Sequence, residues 1–233
     1  MFGRGSPSHI SHLLRHDLKL RIRRSIYEHP NKWAREGAFE YYSHYVQWVE
    51  SLSLEERLRL KFFDEVRVDR SCLGRRDERA SPLSRGTAFR HRMHDGETYT
   101  VNLMVCLDRS PFFFYNIISG ASNGIHFADF VLNVAAPTLM RDDIFIFDNV
   151  RFHVEGGPSL LVQAFLNILG VQLYSLPPYS PELNPTELVF SFLKRCLEYK
   201  HDFQDPIHAA IGDCLDQLKP HHINKFYAHR NYL

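Results

Sequence analysis

The run DDIFIFDN, Asp142–Asn149, sets four consecutive apolar residues between acidic and amide side chains. Four apolar positions hemmed in by polar ones are too few for a helix and fit a short strand buried on both faces of a sheet. Such a strand needs helices above and below it, so the run predicts an α/β architecture. Upstream, LRLKFFDEVRV (Leu58–Val68) predicts an apolar strand ending near Asp64. ETYTVNLMVCL (Glu97–Leu107) and PFFFYNIIS (Pro111–Ser119) predict two more strands. The spacing of Phe127, Phe130, Val131 and Val134 predicts a helix within Gly124–Met140. Downstream, a helix over Ser159–Leu169 precedes the strand VQLYSL (Val171–Leu176). The Pro-rich turn PPYSPELNP (Pro177–Pro185) then leads into a helix over Thr186–Tyr199. The resulting order is three strands, helix, strand, helix, strand, helix.

The 233 residues suffice for one large domain, and a hydrophobic content of 44% with 18 Phe and 11 Tyr marks a globular chain. The formal net charge is +1, so a DNA-binding surface would need uneven placement of charge. Cys72, Cys106, Cys196 and Cys214 form no CxxC pair, which indicates neither a zinc knuckle nor a disulfide framework and fits a reducing compartment. No apolar run reaches membrane-spanning length, and the opening MFGRGSPSHI lacks the apolar stretch of a secretory signal. A protein that is not secreted and has no membrane partner is expected.

Charge is uneven in two segments. SPSHISHLLRHDLKLRIRRS (Ser6–Ser25) predicts a helix with Ile10, Leu13 and Leu14 on one face, followed closely by Arg15, Lys19, Arg21, Arg23 and Arg24. A solvated basic helix and a recognition helix with phosphate contacts both fit that pattern. The link from Arg67 to Arg92 holds eight arginines, Arg75 and Arg76 among them, suited to bidentate phosphate contacts. Asp69, Asp77 and Glu78 offer those arginines internal partners. Trp33–Leu52 predicts an aromatic-rich helix, and the chain from Asp205 onward predicts a helix and a basic-aromatic tail, KFYAHRNYL.

Three carboxylates stand where chemistry is done in α/β folds. Asp148 follows the buried strand IFIF, at a sheet rim, and Asp64 ends the second apolar strand. Two like charges at close range repel unless a cation lies between them, and a hard divalent ion with oxygen ligands fits. Glu187 falls in the first turn of the helix that Pro185 starts, where the helix dipole also favours an acid. Glu65 adjoins Asp64 but points to the opposite face of a strand, and Glu182 reads as a loop residue.

LPPYSPELNPTE (Leu176–Glu187) resembles the hallmark of mariner-like DDE transposases, in which a Ser-Pro-acidic-Leu-Asn-Pro-x-Glu run presents the last catalytic carboxylate. IFIFDNVRFH resembles the segment with their second Asp, followed here by Asn149 and His153. KFFDEVRV resembles the strand with their first Asp, and FYAHRNYL resembles the usual end of such domains. The resemblance spans about Leu54–Leu233. It implies a ribonuclease-H-like mixed sheet flanked by helices, with Asp64, Asp148 and Glu187 as catalytic residues and as ligands of magnesium, for which manganese substitutes. It implies metal-dependent DNA cleavage and strand transfer, with two metal ions clamping the attacking and leaving oxygens. The implied partners are transposon ends and target DNA, with a homodimer as a compatible assembly. Arg15, Lys19, Arg21, Arg23, Arg24, Arg75 and Arg76 are the candidate DNA contacts. His153 fits either a contact to the scissile phosphate or a structural role.

Mariner-like transposases carry two helix-turn-helix units before the catalytic domain, and SHISHLLRHDLKL resembles the recognition helix that ends the second. We therefore expect residues 1–53 to be a remnant of that DNA-binding region with a linker helix, in an N-terminally truncated chain, and residues 54–233 to be the catalytic domain. The stretch between Asp148 and Glu187 holds 38 residues, slightly more than the family pattern, with the extra residues expected near Glu155–Gly157. A eukaryotic host would place the protein in the nucleus, any other host in the cytoplasm. Two other readings compete: a catalytically silent, transposon-derived DNA-binding or interaction protein, and a nuclease of the same fold without strand transfer.

Overall fold

The structure, a computed structural model of the chain, describes residues 32–33, 36–73, 97–108, 111–148, 157–202 and 204–233. Five strands form one sheet in the order β3-β2-β1-β4-β5: β1 Leu60–Asp69, β2 Thr98–Cys106, β3 Phe112–Ser119, β4 Ile144–Phe147 and β5 Gln172–Ser175. The first three strands form an antiparallel meander, and β4 and β5 add to β1 in parallel. β1 is therefore central, and its first four residues are all buried.

β1 does not end near Asp64, as its apolar run suggested, but continues to Asp69. The apolar run stops where β4 stops, since Phe63 pairs with Phe147, the last residue of β4. Beyond that point, among the described residues, β1 keeps only its β2 neighbour, to which it is paired as far as Asp69 and Thr98. The change from apolar to polar residues thus marks the end of the neighbouring strand.

Helices cover both faces. On one lie α1 (Ala38–Ser51), α5 (Thr186–Lys200), α6 (Ile207–Leu215) and α7 (Pro220–His229), whose side chains share one buried cluster with Leu60, Phe62, Val66, Val101, Leu103, Ile144 and Ile146. On the other lie α3 (Gly124–Asp129) and α4 (Gly157–Leu169), packed with Phe63, Met104, Phe145 and Phe147. A short helical turn, α2 (Leu54–Arg57), is closed by a capping box between Ser53 and Glu56 and feeds β1.

Three expected elements differ in detail. The first helix starts at Ala38 rather than Trp33, because Gly37 takes a left-handed φ of 75° just before it; Trp33 lies in the preceding turn, edge-on to Tyr42. The helix expected within Gly124–Met140 runs as α3, a π-helical turn Phe130–Ala135 and a 3₁₀ turn Ala136–Thr138. Pro137 has no N–H with which to continue an α-helical ladder. The end of the chain holds two helices, not one helix and a tail, with Pro220 opening α7 and Lys225–His229 inside it.

The cysteines also require a correction. Cys196 on α5 and Cys214 on α6 are joined as a disulfide, with Cα atoms 5.7 Å apart. Packing of α5 against α6 apposes two residues 18 positions apart, which no local spacing announces. Cys72 and Cys106 are free.

Candidate active site

Alternation along the strands decides where the carboxylates go. Leu60, Phe62, Val66 and Val68 of β1, and Ile144 and Ile146 of β4, face the cluster beneath α5, α6 and α7. Asp64 and Asp148 are in phase with those sets and so face the same side. Because Phe63 and Phe147 are register partners, the residues that follow them, Asp64 on β1 and Asp148 just past β4, start from the same level of the sheet. Glu65 is out of phase. It faces the α3 side, where its Oε1 accepts a hydrogen bond from the Ser122 hydroxyl at 2.6 Å.

The Pro-rich turn brings the third acid to this pair. Asn184 donates from Nδ2 to Asp64 Oδ2 at 2.9 Å, and the Thr186 hydroxyl donates to the same oxygen at 3.3 Å. The Asn184 carbonyl oxygen Oδ1 accepts the backbone N–H of Thr186 at 3.1 Å, so one buried amide ties the start of α5 to β1. Asp64 Oδ1 accepts the backbone N–H of Glu65 at 2.7 Å. Glu187 follows Thr186 directly and occupies the first turn of α5.

The turn is braced from two other directions. Tyr232, just past α7, donates its hydroxyl to the Leu183 carbonyl at 2.8 Å and accepts from the Tyr45 hydroxyl of α1 at 2.9 Å. Lys32 pairs with Glu182, which lies in the short 3₁₀ turn before α5. Tyr179 holds a left-handed φ of 54° between Pro178 and the Ser180-Pro181 step. A non-glycine residue there costs on the order of 1–3 kcal/mol and is found where surrounding structure dictates the turn.

Charge is concentrated at this point. Burial, then Asp148 and Glu187, push the Asp64 carboxyl up to about 8, against the lowering effect of the Glu65 N–H and the Thr186 hydroxyl. Glu187 is also raised, first by burial and further by Asp148, while Lys194 and Arg230 oppose the shift. The three acids are thus electrostatic neighbours in a half-buried setting.

A sequence profile of the DDE superfamily endonuclease family matches residues 59–208, which contain all three acids. The chain belongs to the DDE superfamily of endonucleases. Among solved structures it is similar to the Mos1 strand transfer complex, at 17% identity and a TM-score of 0.64 over 97% of this chain and 67% of that one. It is likewise similar to the Mos1 mariner paired end complex with Mn, at 16% identity and 0.65 over 97% and 68%. A third similar structure is the mariner Mos1 paired end complex with Mg, at 14% identity and 0.58 over 99% and 79%. These likenesses establish the ribonuclease-H-like fold, with its mixed five-stranded sheet flanked by helices. No curated protein sequence matches significantly.

In this endonuclease the structure brings Asp64, Asp148 and Glu187 together, turns Glu65 to Ser122 on the other face and pairs Glu182 with Lys32. Arg15, Lys19, Arg21, Arg23, Arg24, Arg75, Arg76, Asn149, His153 and the extra residues near Glu155 lie outside the described residues. Sequence reasoning gave Asn184 a part in shaping the turn before Glu187 but no catalytic role, and did not foresee that Asn184 and Thr186 both bond Asp64. Their places three and one positions before the helical acid, on either side of Pro185, were the available signal. Among the described residues no three His, Cys, Asp or Glu side chains stand in ready metal-holding geometry. The donor set nevertheless suits a hard divalent cation: it is all oxygen, and its mutual repulsion is what such an ion relieves. Among the described residues no helix is long and apolar enough to cross a membrane.

Proposed function

We propose that this chain is the catalytic part of a mariner-like transposase, cleaving DNA phosphodiester bonds and joining the 3′ ends so made to target DNA. Asp64, Asp148 and Glu187 are its catalytic residues and would hold Mg²⁺, with Mn²⁺ as a substitute. The observation that carries this reading is the convergence of β1, β4 and the start of α5 on one point, where Asp64 and Asp148 share a sheet level and the turn carrying Glu187 is hydrogen-bonded to Asp64. The ions, when bound, would activate the attacking oxygen and stabilise the departing one.

The chain's own residues prepare that site. Asn184 and Thr186 fix the rotamer of Asp64, partial burial raises its carboxyl, and the first turn of α5 sets the approach of Glu187. Mos1, of the same fold, is solved as a strand transfer complex and as paired end complexes with Mn and with Mg, which supports both the metal and the DNA partners. Residues 54–233 would carry the chemistry and residues 1–53 would add DNA contacts through Arg15, Lys19, Arg21, Arg23 and Arg24. Arg75 and Arg76 would add phosphate contacts.

The test is incubation of the full chain with Mg²⁺, duplex DNA bearing candidate terminal repeats and a target plasmid. Strand cleavage followed by joining of the 3′ end to the plasmid is the expected result. Cleavage without joining would leave a nuclease, and DNA binding without either would leave the silent, transposon-derived reading.

A further inference from the structure

The C-terminal turn holds an arginine that the mechanism above does not use. Asn231, at a left-handed φ of 62°, ends α7 and turns the chain so that Tyr232 reaches Leu183. Arg230 sits at this turn, its backbone N–H bonded to the carbonyls of Phe226 and Tyr227 at 3.2 and 3.1 Å. The residue two positions on is therefore fastened to the turn that presents Glu187. The guanidinium of Arg230 is half-buried. Its Nε is buried and has no hydrogen-bond acceptor among the described residues, and the side chain makes no ion pair there either.

That is a costly arrangement to leave incomplete. A buried N–H without an acceptor costs about 1–3 kcal/mol, more on a charged group. The nearby acids do not complete it. Burial lowers the Arg230 pKa, while Glu187 and Glu182 act on it only as neighbouring charges. A guanidinium has five donors in a planar fork, and the group that matches this fork is a carboxylate or a phosphate. Among the described residues neither nearby carboxylate is paired to it, and a DNA strand entering the carboxylate site would bring a phosphate acceptor.

We infer that Arg230 is a DNA-backbone contact of this site, its free guanidinium edge taking a phosphodiester oxygen of the strand laid across Asp64, Asp148 and Glu187. The inference rests on the DNA-cleaving reading and adds a residue from the C-terminal turn to it. Arg230 would position the strand. It would read no bases, because phosphate contacts carry no sequence information.

The experiment is fluorescence anisotropy of the full chain and of Arg230→Gln and Arg230→Lys, with two unrelated labelled duplexes, in metal-free buffer at several salt concentrations. Thermal unfolding of each variant is recorded beside it, and if Arg230→Gln does not fold, Arg230→Lys against wild type decides. Arg230→Gln should weaken both duplexes equally, by about tenfold, and flatten the salt slope by about 0.9. Arg230→Lys keeps the charge without the fork and should restore the slope but only part of the affinity. Wild-type affinity and slope in Arg230→Gln, or full rescue by lysine, overturns the contact while leaving the DNA-cleaving reading intact. A wild-type chain that binds neither duplex overturns both.

Discussion

Asn184 donates a 2.9 Å hydrogen bond to Asp64, a residue 120 positions earlier in the chain, and that bond links the turn before α5 to the central strand. The same amide accepts the Thr186 N–H, so one side chain sets both the rotamer of Asp64 and the entry of the helix that carries Glu187. Its burial, at 2% exposure, means that neither bond is exchanged for water. On the proposed function, Asn184 is a positioning residue that would act on the chemistry through Asp64.

Replacing it should show that role. Asn184→Ala should lower Mg²⁺ affinity and cleavage together, and should also destabilise the fold by about 1–3 kcal/mol through unmet buried polar groups. Asn184→Asp keeps the acceptor for the Thr186 N–H but sets a fourth acid against Asp64, so metal-free stability should fall further than with alanine, and added Mg²⁺ should recover part of it. Isothermal titration and chemical denaturation read both. Unchanged Mg²⁺ affinity in a folded Asn184→Ala would remove Asn184 from the site.

The raised carboxyl of Asp64 predicts a pH dependence. Its value of about 8 in the native state lies above the ordinary aspartate value of about 3.9 in the unfolded chain. Between those values the native state holds a proton that the unfolded chain has released, so stability falls as pH rises through the window and levels off above about 8. Denaturation in metal-free buffer at a series of pH values should show that fall in the wild type and a flatter profile in Asp64→Asn. Identical profiles would mean that Asp64 is not the group responsible.

The Tyr45–Tyr232–Leu183 chain predicts a stability effect remote from the acids. Tyr232→Phe keeps the ring against Phe62, at a centroid distance of 4.8 Å, but leaves the Leu183 carbonyl and the Tyr45 hydroxyl without their buried partner. A loss of about 1–3 kcal/mol is expected, measured as a lower denaturation midpoint with an unchanged slope. A midpoint equal to that of wild type would show that the brace does not hold the turn.

Much of this was legible in the chain because its signals are local. IFIF needed helices on both faces, and the Pro185 helix start placed Glu187 in a first turn. Period-two alternation put Asp64 and Glu65 on opposite faces, and the family resemblance favoured Asp64. What was not legible depended on neighbours distant in sequence. The end of β1 was misplaced because the apolar run reports where β4 ends, a fact of register. The Cys196–Cys214 bridge and the bond from Asn184 to Asp64 both arise when α5 docks, across separations that no spacing rule covers. The tail KFYAHRNYL read as basic and aromatic because only Tyr227 and Tyr232 in it are buried, too few to show a helical period.

The most direct measurement is nicking of supercoiled plasmid by the wild type and by Asp148→Asn, with and without Mg²⁺, alongside Mg²⁺ titration of both. Nicking that needs Mg²⁺ in the wild type, its loss together with Mg²⁺ affinity in Asp148→Asn, and metal-free stability in the variant equal to or above that of wild type are what a site built on Asp64, Asp148 and Glu187 predicts. Mg²⁺-dependent nicking that survives in Asp148→Asn with unchanged Mg²⁺ affinity would contradict it.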